Sequence, residues 1–208
     1  MKSLEDFAAA FAVSRETKER LAAFDASFLD WSSRHNLVAR STIDDRWERH
    51  YADSAQLFEH LAGCDGSLVD IGSGAGFPGL ILAAMGRGDG LKVSLVESVG
   101  KKAAFLNAAA KAMDLDNVTV IPQRVESITI SPPDFISARA LASLDKLCRY
   151  AHEIAGKNTI CIFPKGQDVG SELTEAAKCW HMDVKKTPSM TNPESSILLI
   201  SNLAPRKG

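Results

Sequence analysis

The stretch VDIGSGAGFPG, residues 69–79, decides how the rest of the chain is read. It closes a short β-rich run and leads into a helical pattern over 78–86. The backbone must turn sharply there and let a ligand come close, so Cβ atoms are unwelcome at Gly72, Gly74 and Gly76. Pro78 suits the first turn of the next helix, where its missing N–H costs nothing. Gly72, Gly74 and Gly76 fit the G-x-G-x-G pattern of S-adenosylmethionine sites. Gly74, Gly76 and Gly79 fit the G-x-G-x-x-G pattern of dinucleotide sites. Glu97 ends the next β-rich run, where an acid accepts hydrogen bonds from ribose hydroxyls. Loop and acid together point to an adenosine-type ligand under either pattern. Asp70, directly before the loop, and the lack of a basic residue in the loop to meet a pyrophosphate favour the methyl donor.

Working outward, β-rich runs alternate with helical patterns. The expected strands are 67–72, 92–98, 117–123, 135–140 and 159–165, and the expected helices 78–86, 100–114 and 143–155. In the last of these Ser143 is the cap, Leu144, Leu147, Cys148, Ala151 and Ile154 share one face, and Gly156 closes the helix. Alternation of this kind implies βαβ units and a mostly parallel sheet. MDVKKTPSM (182–190) and SSILLISNL (195–203) are separated only by a short loop and read as an antiparallel hairpin at the sheet edge.

Upstream of residue 62 the pattern is helical, in two stripes. Leu21, Phe24, Phe28 and Trp31 make one apolar stripe behind a Ser14 cap, and Trp47, Tyr51, Phe58 and Leu61 make another. Residues 34–46 between them read as a loop, with a cap at Thr42 or Asp44. The expected organisation is a helical N-terminal extension, residues 1–62, packed on a domain spanning 63–208.

The 208 residues carry a net charge of -2, with 45% hydrophobic and 24% charged side chains, ordinary for a globular chain with a sizeable core. That balance excludes a global basic field while leaving room for a local one. The N-terminus lacks the basic start and long apolar core of a signal peptide. Cys64, Cys148, Cys161 and Cys179 form no C-x-x-C pair and read as buried reduced thiols. The expectation is a cytoplasmic protein without a structural metal, a membrane segment or an obligatory protein partner.

Six blocks occur in order: NLVARSTIDDRWERHYADS, VDIGSGAGFPGLILA, LVESVGKKAAFL, QRVES, SARALASL and FPKGQ. Together they resemble the bacterial small-subunit ribosomal RNA guanine-N7 methyltransferases, the glucose-inhibited division protein B family, from about residue 30 to 203. Arg49-His50-x-x-Asp53-Ser54 and Ser137-x-Arg139-Ala140 are the most specific parts. The resemblance implies a class I S-adenosylmethionine-dependent methyltransferase fold: Rossmann-like, with a mostly parallel seven-stranded sheet, a C-terminal antiparallel hairpin and a helical N-terminal extension. It implies methyl transfer from S-adenosyl-L-methionine, without a metal, to N7 of one guanine of 16S rRNA in the small ribosomal subunit. It places cofactor contacts at Gly72, Phe77, Val125, Glu126 and Arg139, to which the loop reading adds Asp70, Gly74, Gly76 and Glu97. A small-molecule methyltransferase or an NAD-dependent dehydrogenase is the alternative from the glycine loop alone.

Guanine N7 carries a lone pair and no proton, so its methylation needs positioning and no general base. Arg139 at the end of the fourth strand, Lys165 at the end of the fifth and Arg124 after the third are the candidate catalytic residues. All three sit at the carboxyl edge, where open α/β sheets bind ligands. They are expected to converge on the cofactor carboxylate, RNA phosphates or guanine O6, and Arg139→Ala is expected to lower activity with the fold intact. Arg40, Arg46, Arg49 and His50 are the expected RNA contacts of the N-terminal part, while Lys101 and Lys102 read as solvated. Ser131-Pro-Pro-Asp134 precedes a strand and reads as a turn, not as the motif of amino-group methyltransferases. Cys161 lies mid-strand and reads as core, not as a nucleophile.

Overall fold

The computed structural model describes residues 1–61 and 65–206. The expected 62/63 boundary and Cys64 lie outside them. Seven strands form one sheet in the order β3-β2-β1-β4-β5-β7-β6. β1 (Ser67–Ile71), β2 (Lys92–Val96), β3 (Val118–Ile121), β4 (Phe135–Ser137) and β5 (Ile160–Lys165) are parallel. β7 (Ser196–Pro205) runs antiparallel to β5 on one side and to β6 (Trp180–Pro188) on the other, so the expected hairpin sits at the edge with its second strand innermost. The central strand β1 is buried from Leu68 to Ile71, as a parallel strand covered on both faces must be.

One face carries α4 (Gly79–Gly86), α5 (Gly100–Ala112) and the N-terminal helices α1 (Leu4–Phe11) and α2 (Arg15–Arg34). Their core is continuous, joining Phe7, Phe24, Phe28 and Tyr51 to Phe77, Leu80, Phe105 and Leu106 and to Leu68, Leu95 and Ile162 of the sheet. The other face carries α6 (Leu144–Ile154) and α7 (Val169–Cys179) over Val69, Ile71, Ile136, Cys161 and Phe163.

Local sequence explains the starts. Ser14 caps α2 through its Oγ, which accepts from the Thr17 N–H at 3.2 Å. The Leu21, Phe24 and Phe28 stripe is fully buried, with Trp31 at its margin. Asp134 accepts from both the N–H and the hydroxyl of Ser67 at 2.8 and 2.9 Å, so the Pro-Pro-Asp segment is a brace between the starts of β1 and β4.

Several expectations need correction. Neither Thr42 nor Asp44 caps the next helical run. Arg40–Thr42 is its own 3-10 turn, and the run begins at Trp47 as a π-helical segment, Trp47–Ala52. It continues through α3 (Asp53–Ala55) and a 3-10 segment, Gln56–His60. That change of pitch turns Leu57 inward and leaves Phe58 half-buried. At α6 the Ser143 side chain makes no cap bond; the free Leu144 N–H donates to the Glu172 carboxylate at 2.6 Å instead. Gly156 does not close that helix, whose C-cap Ala155 is extended. β4 stops at Ser137, so Arg139 lies beyond the strand. Cys148 and Cys161 are buried, their thiols pushed up to about 12 by burial. Cys179 is exposed at the end of α7. α1 and α7 had no reading in the sequence; in α7 only Val169 and Ala176 are buried, too few to draw a stripe.

Candidate active site

The glycine loop leaves β1 tethered to β2, with Gly72 and Ser73 N–H groups both donating to Val96 O at 2.9 and 3.1 Å. Gly72, Gly74 and Gly76 all have left-handed backbones, with φ of 70°, 54° and 85°. At Gly72 a Cβ would also stand 2.6 Å from Leu141, so this position is closed to side chains by conformation and by space. The Phe77–Pro78 peptide is cis, and Pro78 holds the N-cap of α4.

A cavity of about 320 Å³ opens beside this loop, lined by Gly72, Gly74, Glu97, Arg124, Val125 and Glu126, with Leu141 across from the glycines. Glu97 is buried, and its two oxygens accept from Gly74 N–H at 2.9 Å and Val99 N–H at 2.7 Å. The carboxylate is thereby fixed, with acceptor capacity left on each oxygen. Lys102, read as solvated, also lines this cavity and is half-buried.

Asp70 does not line the cavity. It is buried under the loop, where its Oδ1 accepts from Ser137 Oγ at 2.7 Å and its Oδ2 faces Gly79 so closely that a Cβ there would sit 2.8 Å away. Burial raises its pKa to about 6 against the opposing hydrogen bonds. Gly76 and Phe77 are also absent from the cavity wall. The Phe77 ring points into the core, stacked on His50 at 5.2 Å between ring centroids and edge-on to Phe24, Phe28 and Tyr51.

A second cavity, about 240 Å³, adjoins the first at Ala140. Asp53, Gln56, Arg139, Lys165, Ser189 and Ser196 are among its walls. The carboxyl edge therefore brings Arg139 and Lys165 together and leaves Arg124 in the other cavity, so the three cations do not converge. Arg139 reaches toward the N-terminal helices. Its Nη1 donates to Arg49 O and contacts His50 Nδ1, both at 3.1 Å, and lies 3.6 Å from Asp53 Oδ2, while the guanidinium covers the Phe77 ring at 5.4 Å. A side chain so placed also bridges the segment after β4 to the N-terminal part. Lys165 Nζ is paired with Glu172 at 2.6 Å and donates to Ala142 O at 3.2 Å.

The expected RNA face narrows. Arg46 is held bidentately by Asp25, at 2.6 and 2.9 Å, and is half-buried. His50 is buried, and burial together with the neighbouring Arg139 and Arg49 lowers its pKa to about 4, so it carries no charge near neutrality. Arg40 and Arg49 remain exposed.

Gln56 and Ser189 had no place in the sequence reading. Gln56 Nε2 donates to Asp53 Oδ1 and to Ser189 Oγ at 2.9 and 3.2 Å, its Oε1 accepts from Met190 N–H at 2.8 Å, and Thr191 Oγ1 donates to Asp53 Oδ1 at 2.9 Å. The β6–β7 turn is thus tied to Asp53 and Gln56. The only local signal was helical spacing: residues 53 and 56 share a face with His50. Among the described residues no group of three His, Cys, Asp or Glu is placed to hold a metal ion.

The family model described as "rRNA small subunit methyltransferase G" matches residues 17–198. A protein of that name from Rhodospirillum centenum is 50% identical, over 97% of this chain and 91% of its own length. Another of that name, from Zymomonas mobilis, is 41% identical, over 94% and 90%. Among solved structures, a SAM-dependent methyltransferase from Aquifex aeolicus superposes with a TM-score of 0.57 at 17% identity, covering 74% of this chain and 90% of that one. An O-methyltransferase from Bacillus cereus in complex with SAH gives 0.57 at 14% identity, covering 86% and 90%. These structural likenesses bear on the fold, and it is the class I methyltransferase fold expected from the sequence.

Proposed function

Because the chain belongs to the rRNA small subunit methyltransferase G family, we propose that it transfers the methyl group of S-adenosylmethionine to N7 of one guanine of 16S rRNA. The observation that carries this reading is the pair of cavities meeting at Ala140: one bounded by the glycine loop and Glu97, the other by Arg139, Lys165 and Asp53.

The first cavity fits the methyl donor. Gly72 lines it with its bare Cα packed against Leu141, and the free acceptor capacity of Glu97 suits ribose hydroxyls. Val125 and Glu126 stand across the same cavity, placed to flank the adenine. Asp70 sits beneath the loop as a positioning residue, bonded through Oδ1 to Ser137 and packed through Oδ2 against Gly79. Bound there, S-adenosylmethionine supplies an electrophilic methyl on a sulfonium sulfur.

The acceptor belongs in the second cavity. The N7 lone pair forms the new N–C bond as the C–S bond breaks, and no proton leaves. A general base is therefore unnecessary, and His50 is not one: it is buried, neutral, and contacts Arg139 and Thr42 through its two ring nitrogens. What these residues contribute is orientation, which in well-aligned reactions is worth roughly 7–11 kcal/mol. Arg139 lines the acceptor cavity and not the donor cavity, which favours a role toward the guanine over one toward the cofactor carboxylate. Arg49 and Arg40 on the N-terminal part supply the exposed charge for rRNA phosphates. A small-subunit substrate places the work in the cytoplasm, and no described helix is long and apolar enough to cross a membrane.

The deciding experiment is transfer of a labelled methyl group to small ribosomal subunits, naked 16S rRNA and small-molecule acceptors. The product site is mapped by borohydride reduction and aniline scission, which cut at N7-methylguanosine. Label in rRNA with a scission at one guanine is expected. Label confined to small molecules, or rRNA label without scission, would overturn the reading.

A further inference from the structure

Resting on that reading, we propose that Asp53 selects guanine in the acceptor cavity: its Oδ2 accepts hydrogen bonds from the N1–H and N2–H₂ edge of the base, turning N7 toward the methyl donor.

The geometry of the carboxylate sets this up. Oδ1 is already taken by two donors, Gln56 Nε2 and Thr191 Oγ1, both at 2.9 Å. They lock the plane of the group and leave Oδ2 as the oxygen with capacity, with Arg139 Nη1 3.6 Å away. Asp53 sits in the cavity wall with its side chain 20% exposed, so the oxygen is sheltered without being sealed. Arg139, in the same wall, carries a buried Nε with no partner of its own.

The chemistry of guanine matches this pattern. Its N1–H and N2–H₂ are adjacent donors and call for a carboxylate, which is an acceptor only. O6 lies next to N1 and suits the guanidinium beside Oδ2. N7 lies on the far side of O6 and must stay free. An arginine gripping O6 and N7 together, the usual guanine contact, would block the nucleophile. With Asp53 on the N1 edge, Arg139 can meet O6 alone, and N7 is left to face the junction with the donor cavity at Ala140. Adenine in this pose would bring the N1 lone pair against a carboxylate, which is repulsive. A base read this way must be out of its helix, as RNA bases recognised on their Watson–Crick edge generally are. Gln56 and Thr191 act through Asp53 and are positioning residues.

The test swaps one group on each partner. Once the acceptor guanosine has been mapped, small subunits are assembled with inosine at that position, which lacks only the 2-amino group. The full-length protein and its Asp53→Asn variant are assayed on both substrates, with S-adenosylmethionine affinity measured as the check on folding. Wild type is expected to lose about 10- to 100-fold in kcat/KM on inosine. The variant is expected to be slow on guanosine and to treat the two substrates within about twofold, with cofactor affinity kept. A merely structural role for Asp53 would slow both substrates and keep their ratio. Equal rates of wild type on inosine and guanosine would overturn the proposal, and that comparison holds even if the variant does not fold. So would a variant that discriminates as strongly as wild type. Absence of N7 methylation on the guanosine substrate would instead sink the underlying reading, and this proposal with it.

Discussion

Arg139 Nη1 lies 3.1 Å from His50 Nδ1, and this contact fixes the state of the imidazole. Arginine has donors only, so Nδ1 accepts and the ring proton sits on Nε2. Nε2 then donates to Thr42 Oγ1 at 2.8 Å, and Thr42 donates on to Ala39 O at 2.7 Å. A one-way chain of donors runs from the segment after β4 into the N-terminal part.

Arg139→Ala would leave buried His50 and half-buried Asp53 facing an empty position. Hydrogen bonds to a charged group are worth about 1.5–3 kcal/mol, and the 17% and 20% exposure of Arg139 and Asp53 puts the loss at the lower end. A lower melting temperature is expected alongside lower methyl transfer, in contrast to a residue that touches only ligand. Arg139→Lys should recover part of the stability and little of the turnover, because an ammonium cannot reproduce the planar fork. Thermal unfolding and single-turnover assays on both variants check this; unchanged melting of Arg139→Ala would contradict the tether.

The depressed His50 pKa makes stability depend on pH. The unfolded imidazole titrates near 6.5 and the folded one near 4, so between these values only the unfolded chain binds the proton. The His50 contribution is complete above pH 6.5 and is lost as the pH falls toward 4. Asp70 runs the other way: with its pKa raised from 3.8 to about 6, its contribution is greatest below 3.8 and is lost as the pH rises through 6. The two trends offset each other in the wild type. His50→Gln removes one of them, so the gap in melting temperature between wild type and His50→Gln should shrink from pH 6.5 to 4. A gap independent of pH would show that His50 is not held neutral.

Gly72→Ala places a Cβ 2.6 Å from Leu141 on a left-handed backbone. The conformation alone costs about 1–2 kcal/mol. S-adenosylmethionine binding, measured by calorimetry, should be lost or weakened at least tenfold. Adding Leu141→Ala should relieve the clash and recover only part, since φ stays unfavourable. Full recovery would mean that the backbone conformation is without consequence.

Glu97→Gln keeps an acceptor for only one of the two amides, Gly74 and Val99, and loses the charge. Hydrogen bonds to a charged group are worth about 1.5–3 kcal/mol, so cofactor affinity should fall by roughly tenfold or more. Wild-type affinity in this variant would remove Glu97 from the ribose.

Binding to rRNA should weaken with salt despite the net charge of -2. Arg40→Ala and Arg49→Ala should each lower the slope of log affinity against log salt by about 0.7–0.9. Arg46→Ala should leave the slope alone and lower stability, because its partner is Asp25. A slope change for Arg46→Ala and none for Arg49→Ala would reverse this assignment.

The glycine loop, Glu97 and the five parallel strands were legible because their signals are local: glycine spacing, period-2 and 3.6 patterns, and an acid at a strand end. The environment of the charged groups was not. Arg46 meets Asp25 from an earlier helix, and Lys165 meets Glu172 on a helix with almost no apolar stripe. His50 was read as a cation because nothing in its neighbours along the chain shows that it is buried against Phe77 and Arg139. The second cavity draws its walls from four distant stretches, around residues 53–56, 139–140, 164–172 and 189–197, and only the resemblance blocks hinted that some belong together.

The aromatic cluster of the N-terminal helices has a consequence for how the protein is made. Phe24 and Phe28 close on Phe77, at 5.3 and 5.5 Å, and Trp31 closes on Phe105 at 5.5 Å. During synthesis the helices leave the ribosome well before either partner does. At roughly 5–20 residues per second they wait some seconds with their apolar stripe bare. For that interval the nascent chain offers chaperones and other nascent chains a surface that the finished protein never shows.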